Sequence, residues 1–174
     1  MRAEHEAEFR EFVTGRTERL RVFAYLCCGD WHRAEDAVQT ALIRLYGAWN
    51  RARKISVDPY VRRIIVNVLI DEHRLSWFRR VNIGGDEAGP ARATAVDGQR
   101  TDQRLMLTEA LQHLPRRQRA AVVLRFWEDL PVEQTAQIMG CSTGAVKNLT
   151  MRGLATLRGL LTDSVLDDIQ GATS

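Results

Sequence analysis

The sequence predicts an all-α protein built from two small helical domains joined by a flexible linker. Apolar residues recur at spacings of three and four along most of the 174-residue chain, which is the pattern of helices with one buried face. No stretch alternates apolar and polar residues as a half-buried strand does. Residues 77–103 are instead rich in glycine and poor in large apolar residues, as linkers are. We therefore predict domains at residues 5–76 and 104–162.

The first domain is predicted to contain three helices. Asp30 is a candidate N-cap for the second, because its carboxylate can accept hydrogen bonds from the free N–H groups of a first turn. Residues 50–57 are polar and basic and are predicted to form a loop. Asp58 and Pro59 then combine an N-cap acceptor with proline at the first helical position. The predicted buried faces contain Phe9, Phe12, Val13, Leu20, Phe23, Ala24 and Tyr25, then Ala34, Ala37, Val38, Ala41, Leu42, Leu45 and Tyr46, then Val61, Ile64, Ile65, Val68 and Leu69.

The second domain begins where apolar periodicity resumes near Leu105. Pro115 is predicted to open a helix, since proline is tolerated in the first turn. Its inward residues are predicted to be Ala120, Val123, Leu124 and Trp127.

Residues 130–158 are predicted to form a helix-turn-helix. Ala136 is a small residue in the first helix, Gly140 supplies a helix-ending positive φ, and Val146 and Leu149 restore apolar spacing in the second helix. No acidic residue lies between Glu133 and Asp163, whereas Lys147, Arg152 and Arg158 do. An acid-free, basic helix suits a phosphate-lined groove. DNA is therefore the predicted partner.

Composition excludes several other classes. The net charge of +3 does not by itself establish nucleic-acid binding, since the distribution of charge matters more than the sum. Three cysteines are too few for a disulfide framework, which indicates a reducing, cytoplasmic setting. No apolar run approaches the length of a membrane span, and the N-terminus lacks the apolar core of a signal peptide. Cys28 and His32 have metal-compatible spacing, but two ligands do not make a site. No catalytic constellation is apparent, so we expect no metal, no cofactor and no enzymatic activity.

Three segments resemble a known family. They are AEDAVQTALIRLYGAW, DPYVRRIIVNVLIDEHR and LPRRQRAAVVLRFWEDLPVEQTAQIMGCSTGAVKNL. In this order they resemble an extracytoplasmic-function (ECF) sigma factor of bacterial RNA polymerase, and GDWHRAEDAVQTAL resembles the actinobacterial branch. The resemblance implies sigma region 2 at 5–76 and region 4 at 104–162. It implies a factor that binds core polymerase, reads the minus 35 promoter element as duplex and reads the minus 10 element as melted strand. Thr40 stands where the family usually has Glu, and AVKNLTMRG departs from the usual TVKSRLHRA, so the promoter sequence stays open.

Asp36 and Gln39 are the residues predicted to bind core polymerase. From their spacing alone they could be a solvated helix face, with an acid favoured near a helix N-terminus. The resemblance implies instead that they contact the clamp helices of the β′ subunit. It also implies the polymerase β flap and promoter DNA as partners, and an anti-sigma factor as a partner to be tested.

The residues predicted to bind the minus 10 element lie on the third helix. An amide at Asn67, inside a mainly apolar helix, can pair with a splayed base edge. The resemblance implies phosphate contacts from Arg62 and Arg63, and a pocket for a flipped base in residues 51–57. Asp71 completes the predicted set, although it could equally pair with Arg74 on the surface.

The minus 35 element is predicted to meet the second helix of the helix-turn-helix, with Ser142 as its N-cap. Arg116, Arg117 and Arg119 are predicted either to touch the DNA backbone or to form a solvated face. The predicted duplex-binding residues are Ser142, Thr143, Lys147, Asn148, Met151 and Arg152.

A two-domain helix-turn-helix regulator that acts without replacing a sigma factor is the alternative. It shares every feature of residues 130–158, but it does not account for Asn67 and the basic segment in the first domain. The sequence also leaves open whether the two domains pack together.

Overall fold

The structure is a computed structural model that describes the backbone of residues 2–82 and 98–171, with side chains of residues 2–70 and 102–163. All regular elements within those ranges are helical, which confirms the all-α prediction. The predicted linker, 77–103, lies partly outside the described residues, and helix occupies its two described ends. The helices are α1 (Ala3–Cys28), α2 (Trp31–Ile55), α3 (Val57–Asn82), α4 (Gly98–Gln112), α5 (Arg116–Val122), a π-helical turn (Val123–Trp127), α6 (Val132–Met139) and α7 (Thr143–Gly171).

A tight turn reverses the chain between α1 and α2. Gly29 ends α1 at φ +74°, a left-handed conformation that glycine adopts without steric cost. The Asp30 carboxylate accepts from the N–H groups of His32 and Arg33 at 2.8 and 3.3 Å, so the predicted N-cap is confirmed. Tyr25 and Trp31 stack across the turn with ring centroids 4.1 Å apart.

The predicted loop at 50–57 is wrong. α2 continues through Ile55, only Ser56 interrupts the helix with extended backbone, and α3 begins at Val57. Asp58 therefore lies in the first turn of α3 and is not its N-cap. The helix continues because Ala52 packs into the core, while basic side chains suit the negative end of a helix dipole.

Large side chains from α1, α2 and α3, among them Phe23, Leu45 and Ile65, fill the core of the first half of the molecule. Trp49 is buried against Phe9 and Phe12, with ring centroids 5.2 and 5.8 Å away. Tyr46, which was predicted to be buried, is 46% exposed, although its ring lies edge-on to Phe9 at 5.1 Å.

The π-helical turn overturns the prediction for Trp127. Ala120, Val123 and Leu124 are buried as expected, but Trp127 is 50% exposed. The Glu128 N–H bonds to the carbonyl of Val123, five residues earlier, at 3.0 Å. This wider turn inserts one residue into the helical repeat. Glu128 consequently takes the inward position that uniform α-helical spacing assigns to Trp127.

The first half (α1–α3) and the second half (α4–α7) pack against each other. Their buried apolar residues form one continuous core. The Arg119 guanidinium donates to the carbonyls of Cys27, Gln112 and Leu114 at 3.0–3.2 Å, which ties α5 to the end of α1. Arg116 donates to the Leu69 carbonyl of α3 at 2.8 Å. The question that the sequence left open is thus answered: the halves share an interface.

Candidate nucleic-acid interface

The helix-turn-helix forms through two local devices. Gly140 ends α6 at φ +65°, and its N–H bonds to the Ala136 carbonyl. Ser142 precedes α7, and its hydroxyl accepts from the Ala145 N–H at 3.1 Å. Both the turn glycine and the N-cap are therefore confirmed. Ala136 and Val146 are buried where the two helices meet, which lets α6 and α7 approach closely.

The predicted duplex-binding residues are all exposed, with Ser142 at the cap of α7 and the other five along its outer side. Val146 and Thr150 are buried on its other side, where Thr150 donates to the Val146 carbonyl at 2.7 Å. The arrangement gives α7 a solvent-facing surface with cations, an amide and a thioether, as a helix needs to enter a groove of duplex DNA. The exposed residues are Ser142, Thr143, Lys147, Asn148, Met151 and Arg152.

A basic groove runs beside this surface. Arg125 from the π-helical turn joins Lys147 and Arg158 of α7 around a volume of about 320 Å³, with Val132 and Met151 also in its wall. The Arg125 guanidinium is oriented by a hydrogen bond to the Leu130 carbonyl at 2.5 Å. No acidic side chain lines the groove, so it suits anionic phosphate. The sequence-based prediction missed Arg125, because its position depends on the π-helical turn.

The exposed face of α3 carries Arg63 and Asn67, one helical turn apart. This is the arrangement predicted for contact with unstacked bases and their phosphates. The side chain of Asp71 lies outside the described residues, so its predicted role stays a prediction.

Arg62 is placed differently from Arg63. Its side chain is 7% exposed, and Nη2 lies 2.5 Å from Oε2 of Glu128, whose side chain is 1% exposed. Asp58 Oδ1 lies 3.6 Å from Nη1 of Arg62. The predicted phosphate contact of Arg62 therefore requires a rearrangement that separates it from Glu128. Spacing in the sequence carried no signal of this pairing across 66 residues.

The region predicted to hold a flipped base lines a cleft of about 310 Å³. Arg51, Ile55, Tyr60 and Arg63 form its wall on the first half. They come from the C-terminal part of α2 and the start of α3 rather than from a loop. The opposite wall belongs to α6, through Gln134, Gln137 and Ile138.

Asp36 and Gln39 form a separate exposed surface on α2. The neighbouring Glu35 is half-buried and pairs with Arg21 of α1 at 2.5 Å. Its carboxylate thus holds two helices together, whereas Asp36 and Gln39 project outward. Both side chains are exposed, and their contact with polymerase stays a prediction.

The three arginines at the start of α5 were predicted either to touch the DNA backbone or to form a solvated face, and the structure places them differently from one another. Arg119 is buried and donates to three carbonyls, so it is a structural residue rather than part of a DNA-facing surface. Burial lowers the pKa of its guanidinium below the usual value. Arg116 contacts the α3 carbonyl already described, and Arg117 is exposed.

Cys28 and His32 do not form a metal centre with other ligands. Cys28 Sγ donates to the Asp30 carbonyl at 3.3 Å. Within residues 2–70 and 102–163, no group of three or more His, Cys, Asp or Glu side chains is arranged to hold a metal ion. No helix in the described part of the chain has the length and apolar character needed to cross a membrane.

Two family models match the chain. Sigma-70 region 2 matches residues 13–79, and sigma-70 region 4 matches residues 104–157. The RNA polymerase sigma-E factor of Streptomyces avermitilis is 37% identical over 164 residues, which cover 92% of this chain and 88% of that protein. The sigma-E factor of Streptomyces coelicolor is 35% identical, with 92% and 89% covered. The ECF RNA polymerase sigma factor SigL of Mycobacterium tuberculosis is 28% identical over 78% of each chain.

The fold also matches a solved structure. The sigma factor RpoE from Bartonella quintana, crystallised in complex with the anti-sigma factor NepR, superposes with a TM-score of 0.72. The match covers 89% of this chain and 97% of that one, at 24% sequence identity. At that identity the likeness establishes the fold.

Proposed function

Because the chain belongs to the ECF RNA polymerase sigma factors of the sigma-70 family, we propose that it directs core polymerase to two-part promoters. The second half reads the minus 35 element as duplex through α7. The first half reads the minus 10 element as melted strand through α3. The protein acts by binding and positioning, without a cofactor or an enzymatic activity of its own, and its partner places it in the cytoplasm.

Two exposed polar faces on separate halves support this division of labour. The α7 face projects from a helix-turn-helix, which is suited to the major groove. The Arg63–Asn67 face lies on a long helix, and Arg63 joins Arg51 in the wall of a cleft of about 310 Å³. Duplex readout needs a protruding helix, whereas recognition of single strand needs pockets and edges for unstacked bases. A chain with both kinds of face suits a promoter that is double-stranded at one end and melted at the other.

Partners follow from the same proposal. Asp36 and Gln39 would meet the β′ clamp helices, and the second half would meet the β flap. Charged and polar groups at such a rim set encounter rate and orientation more than affinity. An anti-sigma factor is a further proposed partner, supported by the similar Bartonella quintana factor, which was crystallised with one.

The alternative, a helix-turn-helix regulator that does not replace a sigma factor, is not favoured. Such a regulator needs a first half that senses a ligand or dimerises. The first half of this chain instead matches sigma-70 region 2.

Promoter-directed transcription tests the proposal. Purified chain is mixed with actinobacterial core polymerase and a library of genomic fragments, and run-off transcripts are sequenced. We expect transcripts that start at a fixed distance from a shared two-part motif and that are absent with core polymerase alone. Transcripts without a shared motif, or none above the level of core polymerase, would contradict the proposal.

A further inference from the structure

The cleft that α6 shares with the end of α2 and the start of α3 has the composition of a small-molecule site. Its volume of about 310 Å³ lies at the lower end of the range for such sites, about 300–1,000 Å³. Ala52 and Ile138 line it and are buried, so part of its wall is apolar. Both halves contribute side chains, and small-molecule sites occur preferentially where two structural units meet. The polar side chains in the wall are Arg51, Ser56, Tyr60, Arg63, Gln134 and Gln137.

The two arginines of the cleft are available to a ligand. Within residues 2–70 and 102–163, neither Arg51 nor Arg63 makes an ion pair or a hydrogen bond. Arg53, two positions after Arg51, is by contrast held by Glu8 at 2.7 Å. Both guanidinium groups of the cleft can therefore bind an anion without breaking a pair that stabilises the fold.

The charge of the cleft favours an anion. No carboxylate of the described residues lies in its wall. Asp58, which precedes the wall residue Pro59, lies 3.6 Å from both Arg16 and Arg62, so its charge is paired outside the cleft. Guanidinium groups bind phosphate through charge-assisted hydrogen bonds. A phosphate-bearing ligand thus matches the two unpaired arginines.

The cleft also offers surfaces to a planar ring. Tyr60 is half-buried and contributes an aromatic ring to the wall. Ile55, in the same wall, is 81% exposed, the highest value among the exposed large apolar side chains of the described residues. A base stacked there would remove both surfaces from water. The amides of Gln134 and Gln137 each offer a donor and an acceptor to the edge of such a base.

We propose that this cleft binds a free mononucleotide. Its phosphate groups meet Arg51 and Arg63, and its base lies against Tyr60. The α6 amides contact the edge of the base, so the ligand touches both halves. This goes beyond promoter recognition, because the ligand is a small molecule rather than DNA.

A nucleotide within a melted strand carries the same base and phosphate. The free molecule is favoured because α6 forms the far wall of the cleft. A nucleotide inside a strand needs room for the chain to enter and to leave, whereas a free nucleotide needs room only for itself. The two sources of this chemistry are separated by experiment.

Calorimetric titration of the unaltered full chain is the first test. Adenosine diphosphate and guanosine diphosphate should bind, and each should raise the unfolding temperature, because a ligand that binds only the folded state stabilises it. Adenosine and inorganic phosphate each supply half of the contacts, so both should bind about tenfold more weakly or less well. Failure of both diphosphates to bind at about 1 mM would overturn the proposal. Inorganic phosphate binding as tightly as the diphosphates would also overturn it.

Matched substitutions locate the site. Arg51→Ala should weaken adenosine diphosphate binding about tenfold or more, since a charge-assisted hydrogen bond is lost. Its control is Arg44→Ala, which removes an exposed arginine of α2 outside the cleft and should change the Kd no more than about twofold. Gln137→Ala should weaken binding about threefold. Its control, Gln103→Ala on α4, should have no measurable effect. If either pair behaves alike, the nucleotide does not occupy this cleft.

All four positions are exposed, so the variants should fold, and thermal unfolding without ligand checks this. If one variant does not fold, the other pair and the unaltered protein still decide the outcome.

Fluorescein-labelled oligo(dT) distinguishes the free nucleotide from a strand. If the oligonucleotide binds and depends on Arg51, while neither diphosphate binds, the cleft serves a strand and the inference is wrong. Run-off transcription is an independent measurement. Motif-directed transcription by a chain that binds no nucleotide would reject this inference alone. Arg51-dependent nucleotide binding without such transcription would support it and would contradict the proposed function.

Discussion

The two proposed nucleic-acid faces of this protein are built in different ways. The α7 face follows local rules, because a turn glycine, a serine cap and helical spacing place its residues outward. The α3 face depends on distant packing. Arg63 and Asn67 are exposed, but the adjacent Arg62 is turned into an interface with a residue 66 positions away. The placement of the α7 residues could therefore be read from local sequence, whereas the burial of Arg62 could not.

The largest effect is expected from Arg119→Ala, which removes the guanidinium that links α5 to the end of α1. Three carbonyls would lose a charged donor, so the free energy of unfolding should fall by about 3 kcal/mol. Arg117 is exposed on the same helix, so Arg117→Ala removes no buried contact. This control should change the free energy of unfolding by no more than about 0.5 kcal/mol. Urea titration of both variants measures the difference. Equal urea midpoints would show that the stability of the folded chain does not depend on Arg119.

The next prediction separates the two faces by function. Arg152→Ala should weaken binding to upstream duplex by about 1–3 kcal/mol if the side chain reads a guanine. It should leave binding to a downstream single strand unchanged. Asn67→Ala should change the preferred downstream base and impair melting, while duplex binding is retained. Parallel titrations on both DNA forms provide the measurement. If Asn67→Ala lost as much duplex affinity as Arg152→Ala, the proposal that the two faces bind different forms of DNA would be wrong.

The exposed α2 surface with Asp36 and Gln39 is the proposed polymerase-docking site, which lies outside both faces. Asp36→Arg combined with Gln39→Ala should reduce affinity for core polymerase about tenfold or more, near 1.4 kcal/mol. Its stability should change by no more than about 0.5 kcal/mol, because both positions are exposed. Co-elution with core polymerase and thermal unfolding are the two measurements. Undiminished co-elution would remove this surface from the proposed docking site.

The smallest effect is expected from Gly140→Ala, which probes the local construction of the α7 face. An added Cβ would meet no atom within 4 Å, so the cost is confined to a backbone at φ +65°. About 1 kcal/mol of stability should be lost. Urea titration beside the unaltered protein measures this loss. An unchanged midpoint would show that alanine adopts the left-handed backbone at this position without cost.

Several features were predictable because their causes are local. The Asp30 cap requires only a carboxylate beside free N–H groups, and Gly140 requires only a conformation that other residues avoid. The helix-turn-helix followed from small and apolar residues at fixed spacing. The family resemblance also came from the sequence, since its motifs occur in the expected order.

The errors share a different cause. The loop predicted at 50–57 was helix, because burial of Ala52 outweighed the polar composition around it. Trp127 was predicted to face inward because uniform α-helical spacing was assumed, and the π-helical turn gave that position to Glu128. Local propensity is a weak guide where packing decides.

The sequence by itself determined the helical class, the caps at Asp30 and Ser142 and the exposed composition of α7, because each depends on neighbours within a turn or two. It also determined membership of the sigma family, through motifs that follow one another in a fixed order. Only the tertiary structure decided that the halves pack together, that Arg119 is structural and that Arg62 pairs with Glu128. Those outcomes depend on burial and on charge pairing between residues far apart in the chain. Periodicity describes one helix at a time and contains no information about which buried charge meets which.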